Sequence, residues 1–178
     1  MTSPATSSAF LVTQIPKGSA GIDATLDIMR RVARRQAFFP EVRSVAVRLV
    51  EGVGPYNTRE RAERILDWVR ANFSFVPDPV GVEALTVPTA HLRSIAVHGS
   101  TSGDCDDVAT LLATLARAVG LHARFVAASF LPTRRLHHVW TETYDQSGKS
   151  SFGKWIRLDP FRAETFDGNE TARKEVTV

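Results

Sequence analysis

A chain of 178 residues, 43% hydrophobic and 23% charged, suffices for one domain with its own core, and its composition excludes a disordered, collagen-like or coiled-coil protein. No apolar run approaches the ~20 residues that a membrane-crossing helix needs, and Met1-Thr-Ser-Pro-Ala-Thr-Ser-Ser-Ala9 shows neither the basic nor the apolar part of a secretory signal. The net charge of +3 is uneven: residues 1–50 carry seven basic and three acidic side chains, and the other 128 carry 15 and 16. No aromatic residues interleave with the N-terminal arginines, so a solvated helix face or a protein contact is expected there rather than nucleic acid.

In chain order, residues 1–9 read as a polar arm and Phe10–Ile15 as a short strand ended by Pro16 and Gly18. Leu26, Ile28, Met29, Val32 and Ala33 recur at helical spacing between about Asp23 and Gln36. A second helix is expected from about Pro40 to Val50, with Val42, Val45, Ala46 and Leu49 on one face. Asn57 followed by Glu60 marks the start of a third, with a stripe of Ala62, Ile65, Leu66 and Val69 ending near Asn72. Residues 74–102 read as irregular, with one short helix around Thr89–Ala96. A loop-rich stretch of that length inside a domain usually serves a function.

The clearest helix runs from Cys105 to Val119 and is closed by Gly120; it is apolar over most of its surface and should be central. Leu121–Phe130, Leu136–Tyr144 and Lys154–Leu158 read as strands, with a turn at Asp145-Gln-Ser-Gly148. Helices first and strands later indicate an α+β fold with an antiparallel sheet. The last dozen residues read as a polar tail.

Cys105 is the lone cysteine, which excludes an intramolecular disulfide and every zinc site built from several cysteines. It leaves an inert buried thiol, a nucleophile, or one ligand of a mixed metal site with His138, Asp159 and His137. Its place at a helix start favours the nucleophile, because first-turn N–H groups stabilise a thiolate; Asp104, Asp106 and Asp107 oppose that if they face the sulfur. Asp104 is the natural N-cap. A thiol nucleophile also needs a base and a group to orient it. His138, Trp140 and Glu142 share one face of the expected strand, and pairing of 136–144 with 154–158 would bring Asp159 beside His138.

Gly103-Asp-Cys-Asp-Asp107 opening a helix, then His138-Val-Trp140, then Trp155-x-x-Leu-Asp159-Pro160 together resemble the transglutaminase-like superfamily, a papain-like group with a Cys-His-Asp triad in that order. The resemblance spans roughly residues 57–162. Leu66-Asp-Trp-Val-Arg70, Phe75-x-x-Asp78-Pro79 and Pro88 are similar to the lead-in of small bacterial and phage-borne members, and Gly21-Ile-x-x-Thr25-Leu-x-x-Met29 resembles phage members encoded among virion genes. The resemblance implies Cys105 as nucleophile, His138 as base and Asp159 as orienting acid, with no cofactor and no metal. It implies a papain-like core, the cysteine-bearing helix packed on an antiparallel sheet, with extra N-terminal helices. No upstream Trp or Gln presents itself as a second oxyanion donor; Trp68 falls near the apolar side of its helix.

The organisation expected is a single domain: an arm at 1–20, a helical segment at 21–56, the core at 57–165 and a polar tail at 166–178. The function expected is thiol-dependent acyl transfer on amide or peptide bonds, as a cysteine peptidase or amidohydrolase or a protein-glutamine acyltransferase, with a protein or peptide as substrate. The alternative is a structural module of a phage particle that docks through its basic N-terminal region with the triad idle. The location expected is a bacterial cytoplasm or a phage particle.

Overall fold

The most apolar segment of the sequence forms the centre of the protein. The computed structural model describes residues 10–12, 19–78, 84–147, 153–161 and 169–178. Its helix Cys105–Ala118 (α5 in chain order) is buried at every position from Asp106 to Ala116. Burial on all sides requires partners on all sides, and three amphipathic helices supply some of them. These are Ser19–Gln36 (α1), Pro40–Leu49 (α2) and Thr58–Asn72 (α3), which turn Leu26, Met29 and Ala33, then Val42 and Ala46, then Ala62, Ile65 and Val69 inward. Pro40 opens α2, where its missing N–H costs nothing, and Asn57 caps α3 by accepting from the Glu60 N–H.

Strands supply the remaining cover. Ala123–Ser129 (β5), His138–Asp145 (β6), Lys154–Leu158 (β7) and Ala172–Thr177 (β8) form one antiparallel sheet in the order β7-β6-β5-β8, and β5 and β6 pack on α5. Gly120, at φ +80, makes the left-handed turn that ends α5 and launches β5. Thr141 donates its hydroxyl to the Ala109 carbonyl at 2.7 Å, so mid-strand β6 turns Thr141 toward α5 and its neighbours Trp140 and Glu142 to the other side. On that second side Val126, Ala128 and Trp140 form a separate buried cluster.

Two features depart from the sequence reading. Among the described residues of 74–102, the short helix expected around Thr89–Ala96 is present as Pro88–His98 (α4), but the stretch around it also holds strands: Phe73–Phe75 (β2), Ala84–Thr86 (β3) and Thr101–Gly103 (β4), with β2 paired parallel to β4. Three-residue strands are too short to show a period of two, which is why they escape pattern reading. The expected polar tail at 166–178 is corrected as well, since Ala172–Thr177 is the edge strand β8. Arg173 and Glu175 point to the outer face of the sheet and pair there with Glu142 and Arg124, so ion pairs replace the apolar alternation that would have announced a strand.

At the other end, Phe10–Val12 (β1) pairs antiparallel with β3, and α1 begins at Ser19, so the span 1–20 read as an arm contains a strand and a helix start. Residues 1–9, the remainder of the expected first strand at 13–15, and the end of the expected turn at Gly148 lie outside the described residues.

Asp145 ties the far end of β6 to the start of α3. It accepts from the Thr58 hydroxyl at 2.8 Å and from Arg59 at 3.0 Å, and from both the backbone and hydroxyl of Ser147. Burial pushes its carboxyl up, but these donors outweigh that and hold it at about 2, against an ordinary 3.8. Asp145→Asn is therefore expected to cost about 1–2 kcal/mol near neutral pH, discounted because Arg59 is half exposed. A depressed carboxylate stabilises above its unfolded pKa. The gap between wild type and variant in urea denaturation should thus be full above about pH 4 and close as the pH falls toward 2.

Candidate active site

Cys105 is delivered by a short, tightly built lead-in. β4 runs directly into Asp104, the N-cap of α5, whose side chain accepts from the Asp106 N–H while Asp107 reaches back to the Asp104 N–H. Asp107 also accepts from the Thr86 N–H at 2.7 Å, which ties the first turn to β3. Gly103 is required where it stands: a Cβ there would lie 2.8 Å from the Asp107 Cβ. Gly103→Ala is expected to force Asp107 out of its cap and cost about 1–3 kcal/mol in chemical denaturation.

The thiol's environment differs from the sequence expectation. Its pKa is pushed up to about 12, first by burial and then by the charges of Asp104 and Asp106; the backbone N–H groups of Val139 and of Cys105 itself act in the opposite direction without prevailing. The helix start alone would favour a thiolate, but here desolvation and two like charges win. Asp107 is turned toward β3 and its own cap, where it accepts from the Thr86 and Asp104 N–H groups.

The Val139 N–H beside the sulfur places Cys105 against the first residues of β6, where His138 stands. His138 is buried, and its Nε2 lies 2.7 Å from Asp159 Oδ2. The sheet register explains the meeting. The β6–β7 ladder ends at Thr141 opposite Leu158; one step further sets Asp159 opposite Trp140, diagonal to His138 on the same face. Burial pushes the Asp159 carboxyl up, yet the hydrogen bonds and charge of His138 and the donors from Arg157 and the Phe161 backbone leave it below its ordinary value. An ionised carboxylate only accepts, so the proton between them is on His138 Nε2, and Nδ1 is the nitrogen left unprotonated in the neutral ring.

His137 is exposed and turned away. Its Nδ1 lies 3.1 Å from the Arg135 carbonyl and its ring meets Phe130 edge-on. Among the described residues, the one set of three or more His, Cys, Asp or Glu ligand atoms within 4.8 Å of one another is Asp104, Asp106 and Asp107; Cys105, His137, His138 and Asp159 form no such group. The acids of that set serve largely as the cap of α5.

Two residues near the site have no counterpart in the sequence reading. His91, buried on α4, sets Nδ1 2.9 Å from the Thr101 hydroxyl and Nε2 3.8 Å from Asp107, bracing the lead-in to Cys105. Arg157 on β7 donates to Asp159 Oδ2 at 2.8 Å. Its sequence signal is spacing: on a strand, residues 157 and 159 share a face, so a charged neighbour two places from a candidate acid merits the same scrutiny as the acid.

A model of the transglutaminase-like superfamily matches residues 43–160. The chain belongs to that superfamily. Two solved structures share the fold. One, from Cytophaga hutchinsonii and described as a candidate cysteine protease, is 21% identical with a TM-score of 0.52, the match covering 75% of this chain and 41% of that one. The other, from Parabacteroides distasonis and described as a candidate protease, is 20% identical with a TM-score of 0.52, covering 86% of this chain and 29% of that one. The chain thus spans less than half the length of either. A search of curated proteins finds no match.

Proposed function

We propose that this protein is a thiol-dependent acyl-transfer enzyme that hydrolyses amide or peptide bonds, with Cys105 as nucleophile, His138 as base and Asp159 as orienting acid. The observation that carries this reading is the buried 2.7 Å bond between His138 Nε2 and Asp159 Oδ2, one residue along β6 from the Val139 N–H that meets the Cys105 sulfur. A buried imidazole fixed in one tautomer by a carboxylate serves general-base chemistry better than it serves packing. Membership of the superfamily and the protease descriptions of the two structural neighbours point the same way.

The raised thiol pKa shapes the mechanism. At neutral pH the sulfur is a protonated thiol, so the nucleophile is made when substrate is bound. The thiol proton passes to His138 Nδ1 as the sulfur attacks the carbonyl carbon. The imidazolium, stabilised by Asp159, then gives that proton to the departing nitrogen; the C–N bond breaks and a thioester remains on Cys105. Water, deprotonated by the same imidazole, attacks the thioester, the carboxylic acid leaves, and the proton returns to the sulfur. The backbone N–H of Cys105 is one candidate oxyanion donor.

The test is turnover of a panel of short peptides and peptide amides, read as new amino groups or ammonia. Wild type should release them and Cys105→Ala should not. A Cys105→Ala protein that matches wild type on every substrate cleaved would overturn the reading. Adding a primary amine separates the two outcomes of the thioester: hydrolysis leaves the product mass unchanged, whereas transamidation incorporates the amine.

A further inference from the structure

One carboxylate oxygen in the site serves two cations or donors at once. Asp159 Oδ2 lies 2.7 Å from His138 Nε2 and 2.8 Å from Arg157 Nη2. Arg157 is nearly buried, and its guanidinium carbon stands 4.1 Å from the centre of the Trp140 ring. The same indole lies 5.8 Å from the His138 ring, centre to centre. Trp140 is itself fixed from behind: its Nε1 donates to Glu142 at 3.0 Å, and Glu142 takes Arg124 of β5 at 2.7 Å and Arg173 of β8 at 2.9 Å.

We propose that Arg157 is a positioning residue of the site, which acts through Asp159 to hold the carboxylate in the plane that His138 needs and to offset part of the carboxylate charge that faces the imidazole. The inference rests on the reading of His138 as the base. A planar guanidinium lying on an indole face has little freedom left, so it presents a fixed, charged donor to Asp159. A carboxylate beside imidazole favours imidazolium; a cation on the same oxygen opposes that preference. The mechanism proposed above needs an imidazole free to accept the thiol proton, and a cation on Asp159 Oδ2 serves that need.

The other charges around His138 stay constant when Arg157 is changed. From the start of α5 these are Cys105 with Asp104 and Asp106; from β6 and behind Trp140 they are Glu142 with Arg124 and Arg173; the adjoining His137 is turned to Phe130. A shift in the His138 titration can therefore be assigned to Arg157.

The experiment is an NMR titration of the His138 imidazole in the full chain, for wild type, Arg157→Gln and Arg157→Lys. Arg157→Gln keeps an N–H but removes the charge, and should raise the imidazole pKa by about one unit. Arg157→Lys keeps the charge and should return most of the way to wild type. A pKa in Arg157→Gln equal to wild type, or a shift in Arg157→Lys as large as in Arg157→Gln, would overturn the proposal. If Arg157→Gln does not fold, the wild-type protein decides: its Arg157 Nη resonances should be separate and slowly exchanging, and fully averaged signals would overturn it. None of these readouts needs turnover. If Cys105→Ala keeps full activity while the titration shifts as expected, the functional reading falls and the role of Arg157 in setting the His138–Asp159 charge stands.

Discussion

Cys105→Ala and His138→Ala should each lower amide turnover by about 10³-fold or more, and the double variant should lose scarcely more than either single one. Non-additivity follows from the roles: without the base the sulfur keeps its proton, and without the sulfur the base has nothing to activate. Asp159→Asn should cost less, about 10²-fold, because His138 stays in place and loses only the charge that fixes its tautomer and stabilises its imidazolium. The structure adds a distinction among the three. Cys105 and His138 can be truncated with modest effect on folding, but Asp159 also accepts from Arg157 and from the Phe161 N–H. Asp159→Asn should therefore also lose about 1–3 kcal/mol of stability, since the nearly buried Arg157 cation then faces a neutral amide. Turnover should be measured at a temperature where all variants are folded, checked by circular dichroism.

Iodoacetamide should label Cys105 at pH 8 about 10³-fold more slowly than it labels an unfolded cysteine peptide of ordinary pKa. The rate should keep rising about tenfold per pH unit beyond the point, near pH 9, where the peptide levels off. The sign follows from the thiol's position: burial raises its pKa to about 12 and the charges of Asp104 and Asp106 add to that, so the thiolate fraction at neutral pH is very small. Asp106→Asn removes one like charge and should speed labelling severalfold at a given pH, without reaching the peptide's rate, because desolvation is the larger cause. A labelling plateau near neutral pH in wild type would instead reveal a standing thiolate.

The elements that the sequence declared most clearly are those held by long apolar patterns. The helix at Cys105 lies where its unbroken apolar character places it, and the third helix with its Asn57 cap lies where its stripe of Ala62, Ile65 and Val69 places it. The edge strand β8 was hidden because its outer face is charged, and β2 and β4 because three residues cannot show a pattern. The site divides in the same way. The approach of Asp159 to His138 was legible as a possibility of the hairpin, and the observed register of β6 and β7 realises it. The state of the thiol was not. Sequence shows that Cys105 begins a helix; it does not show that the thiol is desolvated there with Asp104 and Asp106 acting on it, and that desolvation decides the sign. Arg157 was missed for a related reason, because its importance comes from sharing an oxygen with a histidine nineteen positions away in the chain and from lying on Trp140.

The joint action of Cys105 and His138 is best examined on the covalent intermediate. Wild type, Cys105→Ala and His138→Ala are mixed with an activated ester such as p-nitrophenyl acetate, quenched in acid within the first turnovers, and measured as intact protein by mass spectrometry, with the labelled peptide sequenced. Wild type should carry one acyl group, on Cys105 and removable by hydroxylamine; Cys105→Ala should carry none, and His138→Ala should acylate at least about 10²-fold more slowly. An acyl group on another residue, or acylation of Cys105 in His138→Ala at the wild-type rate, would contradict a thiol activated by that histidine.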